Sequence, residues 1–363
     1  MGCIALVCLA TPWARELFFQ QTWQGGYVFL VALAGAFAVS PLMARLGHQF
    51  GFVDLPTERK IHSQATPRLG GIAVYLGLMG ALWLGSALEG NGLSTILLAG
   101  SLLLAIGLID DAGELPAWMR LAAQVVGAGI VVWSGTILTL FPTGLLGDAA
   151  NVLITLVWIV GITNAFNFFD GMDGLATGLA ILMAFFLGIV AFETGQTGLG
   201  LLALAIAGAC LGFLPFNFRV RGPACIFLGD SGATFLGFTL ACLAVKGEWA
   251  DANPIVSFSS PLLIFGVLIY DMIHITVERL ATGKVRTIRD WIEYVGKDHL
   301  HHRLERALGS RVASVLMIFS LTICLGLAAM VLRKAGTTEA ILLLTQAALI
   351  VIMVTTLEHA GRR

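Results

Sequence analysis

The chain has 363 residues, of which 58% are hydrophobic and only 12% are charged, and its formal net charge is −1 at pH 7. Soluble domains carry about twice that share of charged residues, so the composition excludes an ordinary soluble protein. The charge balance gives no indication of a nucleic-acid partner. We therefore predict an all-α, polytopic membrane protein that is embedded in a lipid bilayer.

Apolar segments long enough to cross a bilayer recur along the whole chain. A hydrocarbon core of about 30 Å needs about 20 apolar residues per helix. We predict a bundle of about ten or eleven membrane-spanning helices. No internal repeat or linker divides them, so we expect a single integral-membrane domain over residues 1–363, with a motif-bearing core at about 54–303. The candidate spans lie near residues 26–46, 69–88, 92–109, 119–140, 150–169, 172–193, 198–218, 231–248, 254–277, 311–332 and 338–358.

The distribution of Lys and Arg predicts which connections face the cytoplasm. All but four of the 21 basic residues lie in the odd-numbered connections or at the C-terminus; the exceptions are Arg15, Lys246, Arg333 and Lys334. The positive-inside rule places the odd-numbered connections in the cytoplasm. Every polar motif described below falls on those same connections. We therefore expect one site at the cytoplasmic face of the membrane.

The first polar connection, residues 54–68, contains Lys60 and Arg68 close to two prolines. Its basic residues either follow the ordinary positive-inside bias or bind phosphate oxygens. The next polar motif is the pair Asp110-Asp111, at the end of an apolar span. Adjacent helical residues point about 100° apart, so we do not expect both carboxylates to serve one atom equally. Arg120 follows ten residues later and could face back across the short loop.

Four metal-competent side chains recur every three residues at the end of another apolar span. They are Asn164, Asn167, Asp170 and Asp173. On a helix the first three share roughly one side, and the following glycines let Asp173 turn back towards them. The simple alternative is a polar helix end that caps itself and faces water. Oxygen-rich clusters near hydrocarbon suit a hard cation such as Mg²⁺, which is our preferred interpretation.

Two further motifs precede apolar or amphipathic segments. Residues 227–232 read Phe-Leu-Gly-Asp-Ser-Gly, where Asp230 or Ser231 could cap a helix or help to bind a Mg²⁺-phosphate. Residues 299–303 read His-Leu-His-His-Arg. Helical spacing predicts that His299 and His302 share a face and that His301 points elsewhere. Zinc remains open there, but histidines beside arginines such as Arg303 fit phosphate or nucleotide binding better.

Asp271 and His274 fall inside the predicted ninth span. A charged residue in a membrane span is costly, so it indicates a functional site by default. The alternative is that Asp271 pairs with a neighbouring helix. The sequence does not assign a role to either residue.

In this order the motifs resemble those of the polyprenyl-phosphate N-acetylhexosamine-1-phosphate transferase family, also called glycosyltransferase family 4. The resemblance covers about Asp54 to Arg303, and the His-x-His-His form looks like the undecaprenyl-phosphate GlcNAc-1-phosphate transferases that initiate O-antigen or teichoic-acid linkage synthesis. It implies transfer of an N-acetylhexosamine phosphate from a UDP-sugar to undecaprenyl phosphate, with release of UMP. It also implies a Mg²⁺ cofactor, with Mn²⁺ as an alternative, an inner-membrane location, and a homodimer as an open question.

The resemblance assigns roles by position. Asn167 and Asp230 match metal ligands. The catalytic carboxylates would be Asp110, which matches the residue that meets the lipid phosphate, together with its neighbour Asp111 and with Asp170 and Asp173. Substrate would contact the ring of Phe227, which matches a uracil-stacking residue, and the histidine motif. The complete expected substrate-binding set is Lys60, Arg68, Arg120, Asn164, Phe227, His299, His301, His302 and Arg303.

Two alternative functions remain. Within the same family, the translocase that makes lipid I has a related motif set, although its histidines are consecutive. Outside enzymes, an ion-coupled transporter could use clustered carboxylates, but it would tend to place them at mid-membrane on broken helices. The departure at Gly296, where relatives usually carry Asp and this chain instead has Asp298, leaves the identity of the sugar open.

Overall fold

The computed structural model of the chain describes residues 2–20, 23–55, 65–88, 92–113, 115–220, 222–249, 254–287, 290, 294, 296, 298–333 and 335–360. Within these residues the regular structure is helical, apart from one short antiparallel pair of strands, β1 (Val53–Asp54) and β2 (Thr66–Pro67). The prediction of an all-α fold is therefore confirmed. Lys60, which we expected to contact substrate, lies outside the described residues.

The helices follow one another with short connections. In chain order they are α1 (Gly2–Leu9), α2 (Pro12–Gln20), α3 (Gln24–Phe50), α4 (Gly70–Leu84), α5 (Ser94–Gly113), α6 (Ala117–Trp133), α7 (Leu145–Phe168), α8 (Leu175–Glu193), α9 (Thr197–Asn217), α10 (Gly229–Lys246), α11 (Pro254–Ile264), α12 (Gly266–Ala281), α13 (Leu300–Leu308), α14 (Arg311–Leu332) and α15 (Thr337–Ala360). A 3₁₀ turn, Phe169–Gly171, follows α7 directly.

Each of the eleven segments predicted to cross the membrane overlaps one of these helices. By length and composition, six helices in the described part of the chain can span a membrane, or up to eight if each bent pair is one span. These candidates lack four of the predicted spans: α4 and α6, which have only 15 and 17 residues, and also α10 and α15. They include the bent pair of α1 and α2, which was not among the predicted spans. The predicted ninth span is also broken, since α12 leaves the direction of α11 by 74°. The prediction of a multi-pass membrane protein is confirmed.

Helix α10 lies at the centre of the bundle. Nearly every residue from Gly229 to Val245 is buried, because α10 packs against α5 and α7 and also touches α4 and α8. Bonding across the core reinforces this packing: the indole nitrogen of Trp158 on α7 donates to the carbonyl oxygen of Ala241 on α10 at 3.2 Å. The central position of α10 fixes the place of the residues at its first turn.

Small residues let the helices approach α10 closely near its start. A Cβ atom on Gly71 of α4 would collide with the backbone of Gly232, and one on Gly107 of α5 would collide with the backbone of Ser231. Close backbone approach through small residues is the usual way in which helices pack within membranes. As a result, the C-terminal end of α5 and the N-terminal end of α10 meet at the same end of the bundle.

Candidate active site

A cavity of about 610 Å³ opens at the end of the bundle where α10 begins. Residues from the β1–β2 pair, the end of α5, the turn after α7, the segment before α10, and helices α13 and α14 surround it. Its polar lining residues are Asp54, Arg68, Asp111, Asp170, Asp173, Asn217, Arg219, Asp230, His302 and Arg311, and its ring-bearing and aliphatic ones include Phe218, Phe227, Val312 and Val315. Motifs far apart in the sequence therefore share one cavity.

Asp110 and Asp111 point to different partners, as their adjacent helical positions predicted. Asp110 is buried beside the cavity rather than on its wall: its Oδ1 accepts from the Leu115 amide at 2.6 Å. Its Oδ2 lies 3.2 Å from Nη1 of Arg120, which faces back across the short loop. The same Arg120 nitrogen lies 4.0 Å from Oδ2 of Asp230. Asp110 therefore holds an arginine next to the cavity and does not face the cavity itself.

Asp111 completes the start of helix α10. Its two carboxylate oxygens accept the backbone amides of Asp230 and Ser231, each at 3.2 Å. The first amides of a helix have no partner within the helix, and a carboxylate is the acceptor that best satisfies them. The sequence made Asp230 or Ser231 the candidate cap, but α10 begins at Gly229, so both residues already lie in its first turn. The cap comes from another helix, and Asp230 is left facing the cavity.

The end of α7 brings two more carboxylates to the cavity. Helix α7 ends at Phe168, Asp170 lies in the 3₁₀ turn, and Gly174 adopts a positive φ of 72°, which returns the chain to start α8. Both Asp170 and Asp173 line the cavity as a result. Asp173 is held in place, because its Oδ2 accepts the Ala224 amide at 3.0 Å.

The two asparagines of this run do not line the cavity with the aspartates. Nδ2 of Asn167 donates to Oγ1 of Thr234 at 3.2 Å and lies 3.5 Å from the carbonyl oxygen of Asp230. Asn167 is therefore adjacent to Asp230, the other candidate metal ligand. Asn164 instead exchanges amide hydrogen bonds with Gln124 of α6. We expected Asn164 near the oxygen ligands or the substrate, but its side chain contacts α6 instead. One further helical turn carries it away from the end of the bundle.

The β1–β2 pair contributes to the cavity lining next to the start of α10. Arg68 forms an ion pair with Asp54. The amide of Phe227 donates to the carbonyl oxygen of Pro67 at 2.8 Å. This contact holds the half-buried ring of Phe227 on the cavity wall, beside Gly229 and Asp230.

The histidine motif differs from the expected helical face. His299 is extended (φ −67°, ψ 154°) and precedes α13, so it does not share a face with His302. Its ring is buried, stacked on Phe168 at 4.6 Å between centroids, and its Nδ1 lies 2.7 Å from Oδ2 of Asp271. Of the three histidines in the motif, His302 is the one that lines the cavity.

His301 is buried behind the cavity wall. Its Nε2 would lie 2.8 Å from a Cβ atom placed on Gly171, which separates the ring from the cavity. Neither ring nitrogen has a hydrogen-bond partner among the residues that the structure describes. Burial lowers the pKa of His301 well below its usual value, and the charges of His302, His299 and Arg303 lower the pKa further. The ring is therefore neutral at pH 7 and acts as packing for the turn after α7.

Two ion pairs that the sequence did not reveal support this motif. Arg279 of α12 binds Asp298 through two guanidinium nitrogens, each at 2.8 Å. Partial burial alone raises the pKa of the Asp298 carboxyl, but the hydrogen bonds and charge of Arg279, with a contribution from His299, outweigh it and lower the pKa. Arg303 is also buried, and it contacts Asp271 at 3.3 Å and the Asp298 carbonyl at 2.8 Å.

The two ionisable residues of the predicted ninth span have separate partners. Asp271 on α12 pairs with His299 and with Arg303 of α13, so it has a partner on a neighbouring helix, as the alternative interpretation of the sequence expected. His274 lies 3.5 Å from Glu278, one turn further along the same helix. The sequence marked Asp271 as unusual, but its partners were visible only in the packed structure.

The cavity has an acidic wall that suits a cation. Asp111, Asp173 and Asp230 place their charges around Asp170. Within the residues that the structure describes, no three His, Cys, Asp or Glu side chains form a ready-made metal cage. Mg²⁺ does not need one, because it is usually held by one or two carboxylates together with waters and substrate phosphates. Asp230 is half exposed, and the amide of Asn167 lies next to its backbone carbonyl, which fits that mode of binding.

The lining of the cavity also carries positive charge. Arg219 and Arg311 line it together with His302. Arg311 is also held by Glu305, whose Oε1 lies 2.8 Å from its Nε. A cavity lined by both carboxylates and guanidinium groups can bind a metal and a polyanion together. That is the chemical requirement of a diphosphate substrate.

Comparisons with known proteins identify the family of the chain. Residues 93–248 match the family model described as Glycosyl transferase family 4. A probable undecaprenyl-phosphate N-acetylglucosaminyl 1-phosphate transferase of Bacillus subtilis is 30% identical over 312 residues, which cover 85% of this chain and 84% of that protein. A decaprenyl-phosphate N-acetylglucosaminephosphotransferase of Mycobacterium tuberculosis is 34% identical, with coverage of 80% and 78%.

An undecaprenyl-phosphate alpha-N-acetylglucosaminyl 1-phosphate transferase of Escherichia coli K12 is 30% identical over 75% of this chain and 74% of its own length. These similarities extend well beyond the motifs and span most of each chain. The chain therefore belongs to the polyprenyl-phosphate N-acetylhexosamine-1-phosphate transferase family, within glycosyl transferase family 4.

Proposed function

We propose that the protein transfers N-acetylglucosamine-1-phosphate from UDP-N-acetylglucosamine to undecaprenyl phosphate and releases UMP. The observation that carries this proposal is the shared cavity, which is lined by Asp111, Asp170 and Asp230 together with Arg219 and Arg311. The names of the similar proteins support GlcNAc as the sugar and a polyprenyl phosphate as the acceptor. They do not favour lipid I synthesis or ion transport as the alternative.

The reaction needs an acceptor phosphate oxygen to attack the β-phosphorus of the UDP-sugar. The bond to the UMP oxygen breaks, and the product is a polyprenyl diphosphate that carries the sugar. A phosphate monoester has a second pKa of about 6, so the acceptor is mainly a dianion at neutral pH and needs no strong base. Positioning and charge stabilisation are therefore the main tasks of the protein.

Arg120 is the residue that we propose meets the acceptor phosphate. Its guanidinium group is half exposed and lies between Asp110 and Asp230. Asp110 is buried and accepts hydrogen bonds from Arg120 and from the Leu115 amide, so we assign it the role of orienting Arg120. This assignment replaces the expectation from the sequence that Asp110 itself meets the lipid phosphate.

Asp230 and Asn167 would hold Mg²⁺ on the acidic wall, where the ion would neutralise charge on the diphosphate. Arg219 and Arg311 would bind the anionic part of the donor, and Phe227, which also lines the cavity, would contact its base. Asp170 lines the same cavity. Bidentate arginine contacts would fix the donor before attack.

We further propose that the cavity faces the cytoplasm across the inner membrane of a bacterium. The support is the excess of Lys and Arg on the connections at that end of the bundle. The product would begin a cell-surface glycan such as an O-antigen or a wall polymer. Cysteine accessibility at Cys225, which is exposed next to the cavity, tests the orientation in intact and in permeabilised cells.

The function is tested with the purified full-length chain in detergent, supplied with UDP-GlcNAc, undecaprenyl phosphate and Mg²⁺. We expect release of UMP that requires the lipid phosphate and stops when EDTA removes the metal. UDP-GalNAc, UDP-glucose and UDP-MurNAc-pentapeptide are the matched donors. UMP release that does not depend on undecaprenyl phosphate, or turnover of UDP-MurNAc-pentapeptide but of no other donor, would refute the proposal.

A further inference from the structure

Asp271 is the most deeply buried carboxylate next to the histidine motif. It lies on α12 and has no solvent exposure. Removing a charged group from water costs several kcal/mol unless its hydrogen bonds compensate. Three donors of the described chain meet it: His299 Nδ1 at 2.7 Å, the Leu300 amide at 2.7 Å and Arg303 Nη2 at 3.3 Å. Both carboxylate oxygens are therefore engaged with a single short segment of the chain.

The contact with His299 selects one form of its ring. A carboxylate only accepts hydrogen bonds, so Nδ1 of His299 must carry the proton. In the neutral ring this leaves Nε2 as the acceptor nitrogen. The ring plane is fixed as well, because Phe168 stacks on it at 4.6 Å with an angle of 27°. Phe168 is the last residue of α7 and precedes the turn that carries Asp170.

The contact with Leu300 defines where α13 begins. Leu300 is the first residue of this helix, and its amide has no acceptor within the helix. His299 is the N-cap residue, but its side chain makes no capping hydrogen bond. Asp271 supplies the missing acceptor from another helix. Two residues later, His302 lines the cavity, so the start of α13 determines where that ring lies.

We propose that Asp271 is a positioning residue of the active site: it holds the Nδ1 proton and the ring orientation of His299, which stacks on Phe168 directly before the turn that carries Asp170. This proposal rests on the function proposed above. A purely structural role would have Asp271 neutralise the buried Arg303 and stabilise the fold. The two roles differ in one respect: only the positioning role requires the effect of Asp271 on turnover to depend on His299.

A double-mutant cycle separates the two roles. We expect Asp271→Asn to lower kcat by about 10- to 100-fold, by analogy with the partners that orient metal-ligating histidines. In the His299→Gln background, we expect the same change to lower kcat by less than about 3-fold, because coupled residues are not additive. Effects that multiply in the double variant would overturn the proposal, since Asp271 would then act independently of His299.

Glu193→Gln is the control for loss of an ion pair away from the cavity. Glu193 is exposed and binds the largely buried Arg333 at 2.8 Å, at the end of α8 that is remote from the cavity. We expect this variant to lower the thermal unfolding temperature without changing kcat. Comparison with Asp271→Asn then shows how much of any loss of turnover comes from general destabilisation.

A second measurement needs no variant that could fail to fold. The tautomer of His299 can be read by nitrogen NMR of the wild-type protein labelled with ¹⁵N-histidine, with His299→Gln used for assignment. We expect Nδ1 of the ring to carry a proton. A ring whose Nδ1 carries no proton would overturn the proposal. This readout needs no turnover, so a wild-type protein that lacks the proposed activity would refute the function and leave this inference to be judged by the spectrum.

Discussion

Oδ1 of Asp111 lies 3.2 Å from the backbone nitrogen of Asp230, although the two residues are 119 positions apart in the chain. The carboxylate at the end of α5 thus accepts amides at the start of α10. The same relationship recurs between Asp271 of α12 and the first amide of α13. Helices α10 and α13, which each bring a polar residue to the cavity, are thus both capped by an aspartate from a different helix.

Removal of the Asp111 cap should destabilise the protein. We expect Asp111→Ala to lower the free energy of unfolding by about 1–2 kcal/mol, as is usual for loss of a helix cap. Asp111→Asn should lose less, because an amide oxygen still accepts one N–H group. Thermal unfolding in detergent measures both. Asp148→Ala, which removes an exposed carboxylate from the first turn of α7, is the control and should change stability by only a few tenths of a kcal/mol. Equal losses for Asp111 and Asp148 would contradict the capping role.

Gly229 should not tolerate a side chain. Its φ is +81°, and a Cβ atom would meet the carbonyl oxygen of Arg68 and lie 3.1 Å from Oδ2 of Asp111. We expect Gly229→Ala to destabilise the protein by about 1 kcal/mol or more from the backbone conformation alone, and to lower transferase activity because Asp230 moves. Gly161→Ala on α7 meets no atom within 4 Å and should be neutral or slightly stabilising. Full activity of Gly229→Ala would show that the start of α10 is not held as described.

Asp230→Asn should reduce turnover through weaker metal binding. The substitution removes one charge from the acidic wall while keeping the size of the side chain. We expect kcat to fall by about 100-fold, which is about 2.7 kcal/mol of activation free energy, and the Mg²⁺ concentration for half-maximal rate to rise. UMP release at a series of Mg²⁺ concentrations measures both, with Asp148→Asn as the charge-matched control. An unchanged Mg²⁺ requirement would remove Asp230 from the metal site.

The ion pair between Asp298 and Arg279 should make stability depend on pH in acid. The pKa of Asp298 is lowered in the folded protein, so the pair stabilises the fold at pH values above the unfolded pKa of about 3.9. This contribution is lost as the pH falls through the folded pKa. We therefore expect the unfolding temperature of Asp298→Asn to lie below that of the wild type at pH 6 and to approach it below about pH 4. A difference that stays constant from about pH 6 to about pH 3 would contradict the lowered pKa.

Much of the site could be predicted from the sequence because its polar residues stand out against an apolar chain. Asp111, Asp170, Asp173 and Asp230 were all expected in one site, and the structure brings them to one cavity. The sequence also suggested that Arg120 faces back towards the aspartate pair, which it does. Charged and amide groups are costly at the ends of apolar helices unless they serve a site, so these predictions needed no knowledge of packing.

The partners of buried residues could not be predicted in the same way. Asn164 has helical spacing with Asn167, but its side-chain amide forms hydrogen bonds with Gln124 on another helix. His299 and His302 have the spacing of one helix face, yet the helix starts only at Leu300, where Asp271 supplies the cap. Periodicity within one segment carries no information about which other segment lies opposite. Such contacts become visible only once the helices are packed.

The capping of α10 and α13 by aspartates from other helices also bears on the synthesis of the chain. Asp111 precedes α10 in the sequence, and Asp271 precedes α13. A ribosome therefore delivers each acceptor to the membrane before the amides that it will bind. Each carboxylate can therefore already be in the membrane when the helix start that it caps is synthesised.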